Sequence, residues 1–202
     1  MPRIRDSGMP PLEQWERFFD PGSILEALGC RDLSGDVVEF GCGYGTFAIP
    51  AAHRASGTVY ALDIDPLMVA ATTERAQRAG TPNVVAERRD FVVGGCGRPA
   101  CSTSYVMLFN ILHLQEPLGL LQEAHRVLRP GAILGILHWK RDASTPRGPP
   151  LEMRPSAEQC RLWGKAAGFR WIGTPQLPGS PWHWGMMLAR PPDRRVATDA
   201  GR

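Results

Sequence analysis

No run of apolar residues in this 202-residue chain approaches the roughly 18–20 needed to span a bilayer. The first residues, Met1-Pro2-Arg3-Ile4-Arg5-Asp6, carry no apolar core of a secretion signal, so the expectation is a cytoplasmic protein with no membrane partner. A strong charge imbalance is missing too. There are 23 Lys and Arg against 20 Asp and Glu, a net charge of +3, and part of that excess lies in Arg190, Arg194 and Arg195 at the start of a polar tail, 191–202, expected to be disordered. The body is therefore close to neutral, which argues against a nucleic-acid partner, whose mark is a clustered basic face. The five cysteines (Cys30, Cys42, Cys96, Cys101, Cys160) are odd in number and scattered, so reduced thiols are the default. Cys96 and Cys101 have four residues between them and no His nearby, short of the four ligands a zinc site needs, and no metal is expected. No internal repeat or inserted cap domain interrupts the chain, and 43% hydrophobic content suits one α/β domain. Monomer and homodimer are both compatible with it.

What is present is a glycine turn. Val37-Val38-Glu39-Phe40-Gly41-Cys42-Gly43-Tyr44-Gly45 reads as a strand ending against a bound ligand, because glycine tolerates φ > 0 and lets backbone approach closely. Gly43-x-Gly45-x-x-Ala48, with Asp63 twenty positions after Gly43, also fits the dinucleotide fingerprint, so two cofactor classes stay open on the glycines alone. Glu39 separates them. A carboxylate there repels a pyrophosphate and attracts a sulfonium or an ammonium. With the acid two residues before Gly41, the segment resembles the first signature of the class I S-adenosylmethionine-dependent methyltransferases, in their small, cap-less, type 11-like form. The resemblance implies that Glu39, Gly41, Gly43 and Gly45 hold S-adenosylmethionine as methyl donor, with the acid near its methionine end.

The residues beyond the turn extend the pattern. A helix over 46–55 and the buried strand Val59-Tyr60-Ala61-Leu62-Asp63 complete a right-handed βαβ unit. Asp63, at the strand tip, is placed to accept from both ribose hydroxyls, while Asp65 before Pro66 reads as a helix cap. After a helix over 66–79, the third strand exits into Asp90 and Phe91. The resemblance gives these the adenine amino group and ring; the competing reading of Asp90 is a surface turn acid. Tyr105-Val106-Met107-Leu108-Phe109 is an uncharged central strand, followed by Asn110 and, one helical turn on, His113. Relatives of this family carry a similar strand followed by Asn and His, which assigns Asn110 to the cofactor side and His113 to the active-site wall. The alternative for His113 is a helix-start histidine satisfied by backbone.

Arg126-Val127-Leu128-Arg129-Pro130-Gly131-Ala132 matches the family's helix-to-strand turn, with Ala132 in place of its second glycine, and dinucleotide dehydrogenases do not ordinarily show this block. A fifth strand, 133–137, leads into His138 and Trp139. A helix over 158–167 precedes an antiparallel hairpin formed by 169–172 and 184–189. The expected fold is a Rossmann-like, doubly wound, seven-stranded sheet with its last strand antiparallel. Its organisation is an N-terminal helical segment, 1–34, over the cleft; a cofactor-binding domain, 35–190; and the tail.

Methyl transfer from a sulfonium is an in-line displacement, so the protein must chiefly align the partners and exclude water. His138 and His113 are the candidate bases if the acceptor holds a proton, with His138 ahead because it emerges at the end of a central strand. The resemblance implies that the segment before the first strand packs over the cleft, which would set Phe18 and Phe19, with Trp15, in the acceptor pocket, the alternative being that they cover the sheet edge. Trp139 stands beside the donor face. Arg147 and Arg154, in a loop stiffened by prolines, favour a small anionic acceptor if they face the pocket, since guanidinium binds carboxylate bidentately. The function read from all this is transfer of a methyl group to a small molecule. A methyltransferase or cofactor-binding protein with a macromolecular target is the alternative, and a nicotinamide-dependent dehydrogenase the remainder.

Overall fold

A strand without charge belongs in the middle of a sheet, and the uncharged β4 (Thr103–Phe109) lies at its centre, paired with β1 (Asp36–Phe40), whose residues from Val37 on are all buried. The computed structural model describes residues 9–142 and 144–193, and the tail expected to be disordered falls outside them from residue 194 onward. Around that centre run β2 (Val59–Asp63), β3 (Val84–Arg88), β5 (Leu128–Trp139), β6 (Arg170–Gly173) and β7 (His183–Ala189), in the order β3-β2-β1-β4-β5-β7-β6. The first five are mutually parallel. β7 runs antiparallel between β5 and β6, with Trp139 opposite His183 and Ile136 opposite Met186. The chain winds outward in both directions from β1 and β4, so their carboxyl ends splay and leave a crevice, where open α/β sheets bind ligands.

Two helical layers bury the faces of the sheet. On one face, α2 (Pro21–Ala27) and α3 (Ala48–Ala52) contribute Ile24, Leu25, Ala48 and Ala51; on the other, α6 (Pro117–Val127) and α7 (Ala157–Ala166) contribute Leu120, Leu121, Ala124 and Cys160. α4 (Pro66–Arg78) lies along β2 and β3. The starts of three of these helices, α2, α4 and α7, were written locally: Asp20 and Asp65 accept backbone N–H groups ahead of Pro21 and Pro66, and Ser156 with Gln159 closes a capping box. The break at Asp20 leaves a separate short α1 (Leu12–Glu16).

The structure departs from the sequence reading at a few borders. α3 is shorter than 46–55, because the backbone is still in the glycine turn up to Phe47. β5 begins at Leu128 rather than Ile133; its pairing with β4 breaks register around Gly131, which carries φ 84° while Ala132 does not need a positive φ. A four-residue α5 (Phe91–Gly94) follows Asp90. Inside the sheet, a Cβ on Gly135 would fall 2.1 Å from Tyr105 Oη, so Gly135 is a slot for the Tyr105 ring, whose hydroxyl donates to the Leu28 carbonyl at 2.8 Å.

Candidate cofactor and acceptor site

The carboxyl ends of β1, β2, β4 and β5 open onto a cavity of about 430 Å³, within the roughly 300–1,000 Å³ usual for small-molecule and cofactor sites. Its floor is the glycine turn, with φ of 77° at Gly41, 53° at Gly43 and 72° at Gly45. The space is as restrictive as the dihedrals: a Cβ would stand 2.9 Å from Met9 Cε at Gly43 and 2.8 Å from Thr72 Cγ2 at Gly45. Side chains fix the turn from below. Thr72 Oγ1 donates to the Gly43 carbonyl at 2.8 Å, and Asp63 Oδ2 accepts the Gly43 N–H at 2.9 Å while Oδ1 accepts that of Asp65 at 3.0 Å.

The acids here are held out of water. Glu39 is 1% exposed, and its Oε2 finds no hydrogen-bond partner among the described residues. Burial first, and the charge of Asp63 after it, push its carboxyl well above the ordinary carboxylate range, against an N–H bond from Ala48. Burial likewise raises Asp63. Towards β3 the wall is Arg89, Asp90, Phe91 and Val92, and Asp90 also caps α5 through the Val93 N–H. Beyond the tip of β4, Asn110 adopts φ 55°, unusual for a residue with a side chain, and both atoms of its buried amide lack partners among the described residues. His113 lines the same wall, its Nδ1 also unpartnered there, and burial lowers its pKa. Trp139 and, above it, Arg147, Gly148, Pro149, Pro150 and Met153 close the far end, with Met9, Pro10 and Trp15 along the N-terminal side.

Of the residues singled out from the sequence, Glu39, Gly41, Gly43, Asp63, Asp90, Phe91, Asn110, His113, Trp139 and Arg147 line this one cavity. Gly45 supports the turn from just behind its wall. Four others do not reach it. His138 precedes Trp139 on a strand, so its side chain leaves by the opposite face of the sheet. There it is 0% exposed, its ring 5.7 Å from that of His113 and stacked 6.2 Å from Trp184, and burial lowers its pKa to about 3. Phe18 and Phe19 are buried in an aromatic stack behind the wall, Phe18 5.4 Å from Trp139 and Phe19 5.3 Å from Phe47. Arg154, 6% exposed, turns its guanidinium into its own loop. The sequence reading passed over His183, tilted 4.0 Å over Trp139 with Nδ1 2.8 Å from Ser180 Oγ; only the register of β7 against β5 brings it there. Among the described residues, no group of three or more His, Cys, Asp or Glu is placed to hold a metal.

Residues 37–131 match the family model described as a methyltransferase domain. The structure is similar to a SAM-dependent methyltransferase from Aquifex aeolicus, with a TM-score of 0.74 and 26% identity, covering 86% of this chain and 91% of that one. The chain belongs to the class I S-adenosylmethionine-dependent methyltransferases. Curated relatives include the ribosomal protein L11 methyltransferases of Methylococcus capsulatus, 37% identical over 153 residues, and of Vibrio campbellii, 31% identical over 151. The former match covers 72% of this chain and 49% of the relative, the latter 71% and 50%, so the chain spans about half the length of the curated relatives it matches. The cofactor of this family is S-adenosylmethionine, and the cavity fits it: buried carboxylates suit an ammonium and ribose hydroxyls, and the unpartnered Asn110 amide offers both a donor and an acceptor. Among the described residues no helix is long and apolar enough to cross a membrane.

Proposed function

We propose that the chain transfers a methyl group from S-adenosylmethionine to an acceptor on a macromolecule, a ribosomal protein being the first candidate. The observation that carries the reaction class is the buried, cation-seeking Glu39 carboxylate beside the positive-φ glycine turn and Asp63. In this reading Glu39 and Asn110 face the amino-acid end of the cofactor, Gly41, Gly43 and Gly45 let the backbone approach it, Asp63 takes the ribose, and Asp90 with Phe91 takes the adenine. When bound, the cofactor supplies a methyl group already activated by positive sulfur, so the protein's own residues need only align the acceptor, exclude water and, for a protonated acceptor, remove a proton. His113 is the residue for that last task. It lines the cavity, and burial keeps its imidazole neutral at physiological pH.

Support for a protein acceptor comes from the relatives named for ribosomal protein L11. The small-molecule acceptor is the second reading, favoured by the roof of Arg147, Gly148, Pro149 and Pro150, which narrows the way in. An anionic small molecule is the weaker form of it, because Arg154 has its donors engaged elsewhere. Incubation with methyl-labelled S-adenosylmethionine separates the readings: label on ribosomal protein L11 supports the first, whereas release of S-adenosylhomocysteine only with carboxylates, phenols, thiols or amines supports the second. NAD binding without S-adenosylhomocysteine binding would overturn both.

A further inference from the structure

Arg154 is a buried cation whose partners are not anions. Its Nε donates to the Pro149 carbonyl at 2.7 Å, Nη1 to the Lys140 carbonyl at 2.8 Å and to Thr145 Oγ1, and Nη2 to the Arg147 carbonyl at 3.0 Å. Among the described residues no carboxylate pairs with it, and desolvation alone lowers its pKa. A guanidinium can reach such divergent acceptors at once because its five N–H groups spread in a rigid plane; an ammonium cannot. Of the three bonded carbonyls, that of Lys140 ties the loop to the end of β5, and the other two, those of Arg147 and Pro149, belong to residues that roof the cavity. Between them, Gly148 has φ 118° and so little room that a Cβ would stand 2.9 Å from Trp139 Cγ and 3.0 Å from Arg154 Nη2.

We infer that Arg154 is a positioning residue: it clamps the Arg147–Pro150 backbone down onto Trp139 and so shapes the acceptor end of the cavity without touching acceptor or cofactor. The inference rests on the methyltransferase reading for its functional meaning, although the clamp itself is a property of the loop. The groups assigned to the cofactor, Glu39, Asp63 and Asp90, lie on strands β1 to β3 and the turn after them, apart from the roof. Loss of the clamp should therefore loosen one end of the site only.

The test compares Arg154→Met and Arg154→Lys in the full chain. Tryptic cleavage after Arg147 should be at least tenfold faster in Arg154→Met, while the affinity for S-adenosylhomocysteine, by calorimetry, stays within about threefold. Arg154→Lys should recover part of the protection, and it carries the comparison if Arg154→Met does not fold. Cleavage at the unmutated rate, full protection by lysine, or parallel loss of S-adenosylhomocysteine affinity would each overturn the clamp. If the unmutated chain fails to bind S-adenosylhomocysteine, the cofactor reading falls by itself, and the cleavage rates still decide the clamp.

Discussion

Replacing Glu39 with Gln should make the protein more stable and its cofactor site weaker in one step. Glu39 sits 1% exposed at the end of a central strand, with one oxygen unpartnered among the described residues and the Asp63 carboxylate near. Unfolded, its carboxyl titrates near the ordinary value of about 4.3. Folded, burial holds it well above that. The folded state therefore binds the proton more tightly, so the stability linked to this group is complete below pH ~4 and is lost as pH rises through the folded value. Gln keeps the shape and carries no charge to desolvate. At pH 8 the variant should gain roughly 1–3 kcal/mol, the cost of a buried, poorly partnered polar group. Its advantage over the unmutated protein should shrink towards pH 4. In the proposed function the same carboxylate draws the cofactor's positive charge, so loss of one charge-assisted contact of about 1.5–3 kcal/mol should weaken S-adenosylmethionine binding roughly ten- to a hundredfold. Urea unfolding at pH 4.5, 6 and 8, with calorimetry of S-adenosylmethionine, reads both effects. A variant less stable than the parent at pH 8, or one that binds the cofactor as well, would refute the reasoning.

Asp63→Ala removes the acceptor of the Gly43 and Asp65 N–H groups together with the proposed ribose contact, so S-adenosylhomocysteine affinity should fall roughly ten- to a hundredfold; unchanged affinity in a folded variant would take Asp63 out of the site. His138 and His183 are both held near pKa 3 by burial, well below the unfolded value of about 6.5. The stability tied to their neutral forms is present above pH ~6.5 and should drop by about 1.4 kcal/mol per pH unit for each as the medium is acidified towards pH 3. His138→Gln should reduce that slope by one group's share in urea titrations at pH 6.5, 5.5 and 4.5; an unaltered slope would show that the buried ring takes up a proton without loss. Gly135→Ala should cost roughly 1–3 kcal/mol from overpacking against Tyr105, measured by denaturant unfolding, and Tyr105→Phe should relieve part of it.

The sheet was legible because its signals are local and period-bound. Val59-Tyr60-Ala61-Leu62-Asp63 and Tyr105-Val106-Met107-Leu108-Phe109 have no charge until the tip, and the starts of α2, α4 and α7 carry their caps. The convergence of Glu39, Asp63, Asp90 and Asn110 on one cavity followed, since these residues sit at strand ends fixed by those patterns. The acceptor half did not. His138 and Trp139 are neighbours in sequence, and only knowing which face of β5 meets the cavity tells that Trp139 is on its wall and His138 behind it. Arg154 looked like a ligand for anions because composition reports charge, whereas its use by four acceptors of its own loop depends on a fold-back that no periodicity encodes. His183 was passed over for the same reason, as it meets Trp139 only across an antiparallel register.

The position of β7, seated between β5 and β6 rather than at the rim, sets an order of events during synthesis. β6 is made before β7 yet has no neighbour in the sheet except β7, and the flank of β5 away from β4 stays open until residues 183–189 leave the ribosome. A nascent chain that already holds its glycine turn, β1 to β5 and most of its helices thus carries an open, apolar strand flank until β7 emerges, and unpaired edges are prone to join the wrong chain. Ribosome-stalled chains cut back before His183 should accordingly be held by chaperones, and those extended past Ala189 released.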